Sequence, residues 1–413
     1  MKLGDVLEKI VGGGTPSKNR SEFWNGNIPW ASVKDINEGQ VFLSSTEDTI
    51  TEEGVKNSST NIIYKGNVIL PTRMGLGRCV INTIDTAINQ DLKALYPKKD
   101  KLDSKFLLYW LKNNSRLIES MGSGTTVKGI RIEQLTDMNF KKLDLYIQQR
   151  IAKVLSNYDN LIENNNKRIK ILEEMAQKIY KEWFVDFNYP GHETATFKDT
   201  ELGKIPIDWE VKTIEDVISD IESGSRPKGG IVQCNSGIPS IGAENIIGLG
   251  KYDYSKEKLV TNEFYNKMKK GKIKSLDVLL YKDGAQIGRK SMFGEGFPYF
   301  ECCINEHVFI LRTNTKCSQY YLYFTLDLPE YTEKIKQLNT NAAQPGINQQ
   351  QVKGIKIRLA PISIINKFDE IVKPIISLIF NLCIRNKELM QTRDLLLPRL
   401  MSGEINVENL EIA

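Results

Sequence analysis

The chain has 413 residues, of which 40% are hydrophobic and 26% are charged, and its net charge is +5. This balance excludes an intrinsically disordered chain, and the length suffices for two or more folded domains. The most apolar stretch, residues 375–382, is too short to span a membrane, so we expect a cytoplasmic protein with no membrane contact.

The cysteines do not indicate a metal centre. Six are present, none of them in a Cys-x-x-Cys pair, and only His192 and His307 could supplement them as ligands. A structural zinc site needs four closely spaced ligands. We therefore expect no metal site, and thiols that are reduced and mostly buried.

An internal repeat covers nearly the whole chain. Residues 66–70 (GNVIL) correspond to residues 276–280 (LDVLL), and Gly-Ile at 129–130 corresponds to Gly-Ile at 346–347, after which the offset stays at 217. Insertions in loops account for the small drift between these offsets. The repeat predicts two divergent copies of one structural unit.

Each copy begins with a mixed α/β pattern. In the first copy, short β-type runs at residues 61–64, 68–70 and 78–83 are separated by turn residues, and residues 104–120 have a helical pattern. We therefore expect a compact α/β domain over residues 1–146. The repeat places its counterpart at residues 198–362, after a linker at residues 188–197.

A long helix follows each domain. Residues 147–183 contain no Gly or Pro, and their apolar positions step by four and three, which predicts a helix of roughly 55 Å within residues 147–187. The second helix is expected over residues 363–402, ahead of a short tail at 403–413, and Pro374 should bend or interrupt it. The predicted interhelical seam consists of Ile151, Val154, Leu161, Leu172, Ile179, Phe368, Ile371, Leu378, Leu389 and Leu396.

These helices should pack against each other, because a helix with one apolar stripe cannot bury it alone. The predicted fold is α/β (α+β), with two duplicated globular domains separated by two long antiparallel coiled-coil helices in a pseudo-two-fold arrangement. Two separate domains with unrelated helices are the alternative. That alternative does not explain why both seams keep one offset.

Three segments carry a family resemblance: residues 181–187 (KEWFVDF), 202–210 (LGKIPIDWE) and 395–405 (LLLPRLMSGEI). In this order, in a duplicated chain, they closely resemble the specificity (S) subunits of Type I restriction–modification systems. The loop at residues 122–130 (GSGTTVKGI) is also similar to one in that family. One departure is visible, since the family often has Leu-Pro-Pro before each helix and this chain does not.

The resemblance implies a DNA-binding subunit without catalysis of its own. It implies two target-recognition domains, each reading one half of a split double-stranded DNA sequence, and helices that dock two methyltransferase (M) subunits, which restriction (R) subunits then join. It assigns S-adenosylmethionine, ATP and magnesium to those partners, with no cofactor in this chain. If the domains read half-sites one helical turn apart, the unread gap between them is about 5–8 base pairs. The two helices would set the length of this gap.

Catalytic motifs are missing from the sequence. The chain has no Pro-Pro dipeptide of the kind that an adenine methyltransferase loop requires, and no G-x-x-x-x-G-K-[S/T] phosphate loop. Asp91-Leu92-Lys93 could be imagined in a metal-dependent nuclease, but three such residues arise often by chance. A self-sufficient modifying nuclease is therefore disfavoured, and a coiled-coil scaffold that binds only protein remains the main alternative to DNA recognition.

Polar and basic residues at matching loops of the two copies are the candidates for DNA contacts. Arg and Lys read guanine edges or hold phosphates, while Asn and Gln read adenine. Trp24 and Trp30 are interpreted as core residues rather than base-stacking ones. The candidates are Ser17, Lys18, Asn19, Arg20, Arg73, Arg78, Lys128 and Arg131 in the first copy, and Arg226, Lys228, Gln286, Arg289, Lys290, Gln344 and Asn348 in the second.

Overall fold

A computed structural model describes residues 1–124, 127–227, 236–339 and 346–408. The chain divides into two compact units. Unit 1 comprises Met1–Ile162 with Leu389–Ala413, and unit 2 comprises Glu163–Glu388. Each long helix is thus shared between a globular part in unit 1 and a globular part in unit 2, and each unit has its own core.

Unit 1 contains two sheets and four short helices before the first long helix. A five-stranded sheet has the order β1-β9-β6-β7-β3, and a four-stranded sheet has the order β4-β2-β8-β5. The elements are β1 (Leu7–Gly12), β2 (Trp24–Ala31), β3 (Phe42–Leu43), β4 (Asp48–Ile50), α1 (Glu52–Lys56), β5 (Asn61–Ile63), β6 (Val68–Pro71), β7 (Val80–Asn82), β8 (Thr86–Ile88), β9 (Leu92–Pro97), α2 (Ser104–Asn113), α3 (Ser115–Ser120), α4 (Ile132–Thr136) and α5 (Leu145–Phe184).

Alternation along the central strands of this unit explains its layers. Successive side chains of a strand point to opposite faces, and in β6 Val68 and Leu70 join the cluster that contains α2, while Ile69 joins the cluster on the other face. The helix predicted over residues 104–120 is divided in two at Asn114, whose side chain donates to the carbonyl of Trp110 at 2.8 Å.

Unit 2 repeats this design. Its four-stranded sheet, β13-β19-β16-β17, corresponds to β1-β9-β6-β7, and its three-stranded sheet, β15-β14-β18, corresponds to β4-β2-β8. The elements are β10 (Phe197–Thr200), β11 (Gly203–Pro206), β12 (Glu210–Thr213), α6 (Ile214–Val217), β13 (Ile218–Ser223), β14 (Ile238–Ile241), β15 (Leu259–Val260), α7 (Asn262–Lys267), β16 (Val278–Tyr281), β17 (Lys290–Met292), β18 (Cys303–Ile304), β19 (Val308–Thr313), α8 (Gln319–Asp327), α9 (Pro329–Gln337), α10 (Gln349–Lys353), β20 (Lys356–Leu359) and α11 (Ile362–Ser402).

Both long helices are present, with 40 residues in α5 and 41 in α11. The helix α11 continues without a break through Pro374, so the expected interruption is absent. Proline removes the hydrogen bond to the carbonyl four residues earlier, that of Glu370. Because Glu370 and Pro374 are both exposed, water can satisfy that carbonyl at little cost.

Within each unit the helix segments run antiparallel. In unit 2, Asn165 donates to Asn386 at 2.9 Å, and the rings of Tyr180 and Phe368 lie 5.7 Å apart. Residue numbers therefore increase along α5 in the direction in which they decrease along α11. The buried Asn386 also donates to Asn166 at 2.8 Å. This asparagine layer lies where the sequence turns polar, and such a layer favours one register of two paired helices.

The predicted seam agrees with the buried helix faces only in part. Ile151 and Phe368 are buried, whereas Leu161, Ile371 and Leu378 are 52%, 42% and 37% exposed. The remaining predicted seam residues are half-buried: Val154, Leu172, Ile179, Leu389 and Leu396.

The reason for this shift is that the helices pack against the globular parts as well as against each other. Leu155 of α5 belongs to the same buried cluster as Phe106 and Leu107 of α2. In unit 2, Tyr180 and Phe184 join the cluster that contains α8. The buried face of each helix is therefore set by more than one neighbour, and a two-helix seam is too simple a description.

The cysteines that the structure describes, Cys79, Cys302, Cys303, Cys317 and Cys383, are free and buried, as expected. Cys234 lies outside the described residues.

Asp369 should make unit 2 less stable as pH rises from about 4 to about 6. Burial raises the pKa of this carboxyl from 3.8 to about 6, although the hydroxyl of Ser318 donates to it at 2.8 Å. Between these values the folded chain holds a proton that the unfolded chain has lost, so stability falls with pH and the whole cost is present above pH 6. We expect Asp369→Asn, which keeps the acceptor oxygen, to raise Tm more at pH 7.5 than at pH 4.5.

Thermal denaturation at the two pH values measures this difference. Glu370→Gln, at the adjacent exposed position of α11, is the matched control and should show no such dependence. An equal effect of Asp369→Asn at both pH values would contradict the assignment.

Candidate nucleic-acid interface

Three loops leave the same end of the main sheet in unit 1. The strand β1 pairs antiparallel with β9 so that Gly12 faces Lys93, and β6 pairs with β9 so that Pro71 faces Leu92. The segments that follow β1, follow β6 and precede β9 therefore emerge together. These segments are residues 13–20, 72–78 and 89–91.

A fourth segment, residues 123–131, is bonded to the second of these loops. Arg73 and Gly129 form an isolated β-bridge, and the N–H of Ile130 donates to the carbonyl of Thr72 at 3.0 Å. This segment belongs to the family-like loop noted in the sequence, of which Thr125 and Thr126 lie outside the described residues.

Three of these loops, namely those after β6, before β9 and at residues 123–131, line a cleft of about 790 Å³, which we call loop cleft 1. Its walls carry three cations, Arg73, Lys93 and Arg131, the carboxylates of Asp91 and Glu133, and the amide of Gln90. Burial lowers the pKa of Lys93, and Arg73 lowers it further while Asp91 opposes the change. The cleft thus offers cationic donors beside an amide that both donates and accepts. These are the protein groups that contact base edges and phosphates.

Two tryptophans hold the first loop in place through their indole N–H groups. Trp30 donates to the carbonyl of Gly14 and Trp24 to that of Ser17, each at 3.1 Å. Trp30 is buried, as expected of a core residue, whereas Trp24 is only half-buried against it, with ring centroids 5.2 Å apart. The residues that follow are all exposed: Ser17, Lys18, Asn19 and Arg20.

Unit 2 has the same loop arrangement. Ser223 of β13 faces Phe309, Tyr281 of β16 faces Val308, and Asp283 forms a bridge with Gly346 where Arg73 meets Gly129 in unit 1. The correspondence extends to Asn305, whose side chain accepts from the N–H two residues later at 2.9 Å, just as that of Asn89 does at 3.1 Å. Both asparagines are buried.

Among the loops of unit 2 lies a cleft of about 390 Å³, loop cleft 2, whose lining and chemistry differ from those of loop cleft 1. It is lined by Arg226, Tyr281, Asn305 and His307, and by residues after β14 and before β15. Arg226 forms an ion pair with Glu306 and bonds to His307 at 3.0 Å, and His307 bonds to Asp283 at 2.7 Å. Burial opposes ionisation of Glu306, but the hydrogen bond from Arg226, a main-chain hydrogen bond and the charges of His307 and Arg226 together outweigh it, so the pKa is lowered. In unit 1 the equivalent link is uncharged, because Thr15 donates to Gln90 at 2.6 Å.

The structure separates the predicted DNA-contact residues into several groups. Arg73 and Arg131 line loop cleft 1, and Arg226 lines loop cleft 2. Asn348 is exposed and caps α10, with its side chain accepting from Gln351 at 2.9 Å. Two candidates lie outside the described residues, namely Lys228 and Gln344.

The other candidates line a second cleft in each unit. Arg78 and Lys128 line a cleft of about 950 Å³ in unit 1, and Gln286, Arg289 and Lys290 line one of about 450 Å³ in unit 2. Lys290 differs from the prediction of a loop surface residue, because it begins β17 and is only 6% exposed.

Sequence reasoning passed over residues that the loop clefts bring together. Gln90, Lys93, Glu306 and His307 are close in sequence to the buried Asn89 and Asn305. The repeat aligns these two asparagines, because residues 87–90 (AINQ) correspond to residues 303–306 (CINE). The sequence therefore contained a signal for these residues, because different polar residues stand at equal sequence separations from the asparagine that both copies share.

Two features are absent from the part of the chain that the structure describes. In these residues no group of three or more His, Cys, Asp or Glu side chains is arranged to hold a metal ion. Within the same ranges, no helix combines the length and the apolar character needed to cross a membrane.

Comparison with known proteins identifies the family. A family model described as "Type I restriction modification DNA specificity domain" matches residues 1–174 and 206–387. The Type I restriction enzyme MjaIX specificity subunit of Methanocaldococcus jannaschii is 30% identical over 99% of this chain and 94% of its own length. The EcoR124I/EcoR124II specificity subunit of Escherichia coli is 33% identical over 47% of this chain and 49% of its own.

The fold also has a counterpart among solved structures. A crystal structure of the Type-I restriction-modification system S subunit from M. genitalium gives a TM-score of 0.56 at 16% identity, covering 97% of this chain and 95% of that one. The mixed α/β fold with two long helices is therefore one that S subunits adopt. With the family model matching most of the chain and a relative 30% identical along nearly all of it, the chain belongs to the Type I restriction–modification DNA specificity family.

Proposed function

We propose that this chain is the non-catalytic DNA specificity subunit of a Type I restriction–modification complex, in which each unit reads one half of a split target. The observation that carries the proposal is the set of loops at one end of the main sheet, which occurs in both units on the same strand register and borders a cleft in each. The two clefts differ in charge and in hydrogen-bonding groups, which is what two different half-sites require.

The cations of loop cleft 1 support DNA over a partner made only of protein. Arg73 and Arg131 are exposed, and no carboxylate forms an ion pair with either of them among the residues that the structure describes. Cations left free in a concave surface attract phosphates and base acceptors. A coiled-coil protein scaffold gives no reason for such a surface at the end of a sheet.

The long helices are the proposed docking elements for two methyltransferase subunits, through which restriction subunits would join. Apolar side chains exposed on these helices support this proposal, since exposed apolar residues on a folded protein often mark a protein interface. They are Tyr146, Leu161 and Leu395 in unit 1, and Ile171, Met175, Ile371 and Leu378 in unit 2. We assign S-adenosylmethionine, ATP and magnesium to those partners. That the helices set the length of an unread gap of about 5–8 base pairs stays a prediction.

The test is selection of bound DNA from a random library, with the chain alone and with its methyltransferase subunit. We expect an enriched split motif only with the partner, and neither methylation nor cleavage by the chain alone, because the sequence lacks the methyltransferase loop and the phosphate loop. Turnover of S-adenosylmethionine by the chain alone would overturn the proposal. Assembly with the partner and no enriched sequence would favour the scaffold.

A further inference from the structure

Unit 2 has a second concave surface, the turn cleft, between the loop that precedes β17 and the helix α9. Its volume is about 450 Å³, and its walls include Gln286, Arg289, Lys290, Asp327 and Lys336. None of these residues lines loop cleft 2. The turn cleft is therefore a separate place where a ligand could bind.

A buried lysine forms part of its wall. Lys290 is 6% exposed, and its ammonium donates to the carbonyl of Leu326 and to the hydroxyl of Thr332, each at 2.6 Å. An ammonium has three N–H donors, so these two bonds leave one unused. Among the described residues no carboxylate lies within ion-pair distance of Lys290. Its charge is thus held away from water without a direct counterion.

Burial lowers the pKa of Lys290 to about 8, with Asp327 acting in the opposite direction and Lys336 adding to the lowering. A buried charge without a partner is costly, and an anion placed beside it would remove much of that cost. The side chain of Asp327 is already engaged by Gln177, which donates to it at 3.2 Å.

Two further cations flank the buried lysine. Arg289 is exposed and follows Gly288, whose φ of +88° makes the turn that places the arginine at the edge of the cleft. Lys336 pairs with the exposed Glu333 at 2.7 Å, an arrangement that solvent weakens. Even when Glu333 is counted beside Asp327, three cations face two carboxylates, so the cleft keeps an excess of positive charge.

The first copy carries the same feature in another form. There the turn ends in Gly77 and Arg78, Gly77 packs close to the carbonyl of Ser115 at the start of α3, and the adjacent cleft is lined by Arg78, Lys112, Arg116 and Lys128. Cys79 occupies the position of Lys290, so the positive charge comes from α2 and α3 instead. Both copies thus surround the turn with cations by using different residues.

We propose that the turn cleft binds a backbone phosphate of the DNA half-site that unit 2 reads, an inference that rests on the proposed function. Compact positive charges suit a phosphate, whereas a base edge calls for a fixed pattern of donors and acceptors. Tyr281 lines loop cleft 2, and its main chain is hydrogen-bonded to Gly288 and Arg289 of the turn cleft. A duplex held by the loops would therefore bring its backbone near the turn cleft. Arg289 and Lys290 then contribute affinity without sequence preference.

The experiment uses the complex with the methyltransferase subunit and measures Kd over a range of KCl concentrations. Target DNA and non-target DNA of equal length are compared. We expect Arg289→Ala and Lys290→Met to weaken binding to both DNAs by the same factor, about tenfold, and to make the slope of log Kd against log salt shallower by about one. The methylated motif in cells should stay unchanged.

Lys316→Ala is the matched control, because Lys316 is exposed and follows the far end of β19, away from the loops. It should change neither Kd nor the salt slope. Among the described residues the side chain of Arg289 has no hydrogen bond or ion pair, so Arg289→Ala should fold. This variant therefore tests the proposal even if Lys290→Met does not fold.

Each remaining outcome has a definite meaning. A changed motif with Arg289→Ala would make this residue a base reader and overturn the phosphate assignment, as would an unchanged Kd and salt slope. If inorganic phosphate raises the Tm of the parent but not of Arg289→Ala while DNA binding is unaffected, the cleft takes a free anion, and the DNA assignment is wrong. Absence of any target preference in the parent complex would instead refute the proposed function.

Discussion

Replacing Arg393 with methionine should lower the free energy of unfolding by roughly 3–5 kcal/mol. In unit 1 the carboxylate of Asp159, only 2% exposed, accepts from Tyr109 and from the guanidinium of Arg393, the latter at 2.5 Å. Methionine keeps much of the packing volume but leaves Asp159 buried without a cation. Urea denaturation, with hydrogen exchange of α2 to locate the effect in unit 1, measures the loss.

Two further variants separate charge from packing. The double variant Asp159→Asn with Arg393→Met removes both charges and keeps an oxygen that accepts from Tyr109, so it should be less destabilised than Arg393→Met alone. Arg399→Met, on the same helix, breaks an exposed pair with Glu404 and should cost at most about 1 kcal/mol. A double variant as unstable as the single one would show that the buried charge is not the cause.

Exchanging residues 163–388 for those of a relative should replace one half of the methylated target and leave the other half unchanged. The resulting chimera should have a Tm close to that of the parent. The reason lies in unit 2, where Phe184 of α5 packs on Trp209, Tyr321 and Phe368 with ring centroids 4.8–5.8 Å apart. Exchanging the whole unit keeps these partners together.

An exchange limited to residues 198–362 separates Phe184 from Trp209 and Tyr321, while Phe368 stays with it. It pairs Tyr180 and Phe184 of one protein with the globular part of another, and it breaks the bond between Tyr180 and Thr325, which measures 2.7 Å. At about 0.5–1.5 kcal/mol for each aromatic pair, we expect this shorter chimera to melt several degrees lower. Methylome sequencing and thermal denaturation of both chimeras measure the two effects. A change in both halves of the target would show that the units do not read independently, and equal Tm values would contradict the packing argument.

The apolar periodicity and the internal repeat of the sequence predicted most of the fold. The absence of Gly and Pro over residues 147–183 and the regular apolar steps are local properties, and they located α5 to within two residues at its start. The common offset between the copies likewise indicated two similar globular parts. Neither signal depends on knowing which surfaces meet.

The side-chain environments were harder to predict, because they depend on contacts between distant segments. Leu161 and Leu378 fit the apolar spacing of the predicted seam. They are nevertheless exposed, because the helices also pack against the globular parts. Lys290 resembled a surface residue because it follows a Gly-Arg turn. The repeat held a counter-signal, since its equivalent, Cys79, is an apolar residue and is buried.

Main-chain hydrogen bonds join the loops around both loop clefts, beside the side-chain bonds described above. In unit 1 the N–H of Thr72 donates to the carbonyl of Asp91 at 2.8 Å, and in unit 2 the N–H of Lys282 donates to that of His307 at 3.1 Å. Any residue except proline can supply such donors. The side chains that face the clefts are therefore free to mutate without loss of the frame. New target sequences can then arise through single substitutions that folding tolerates, while Asn89 and Asn305, whose side chains belong to the frame, are the positions where change should be resisted.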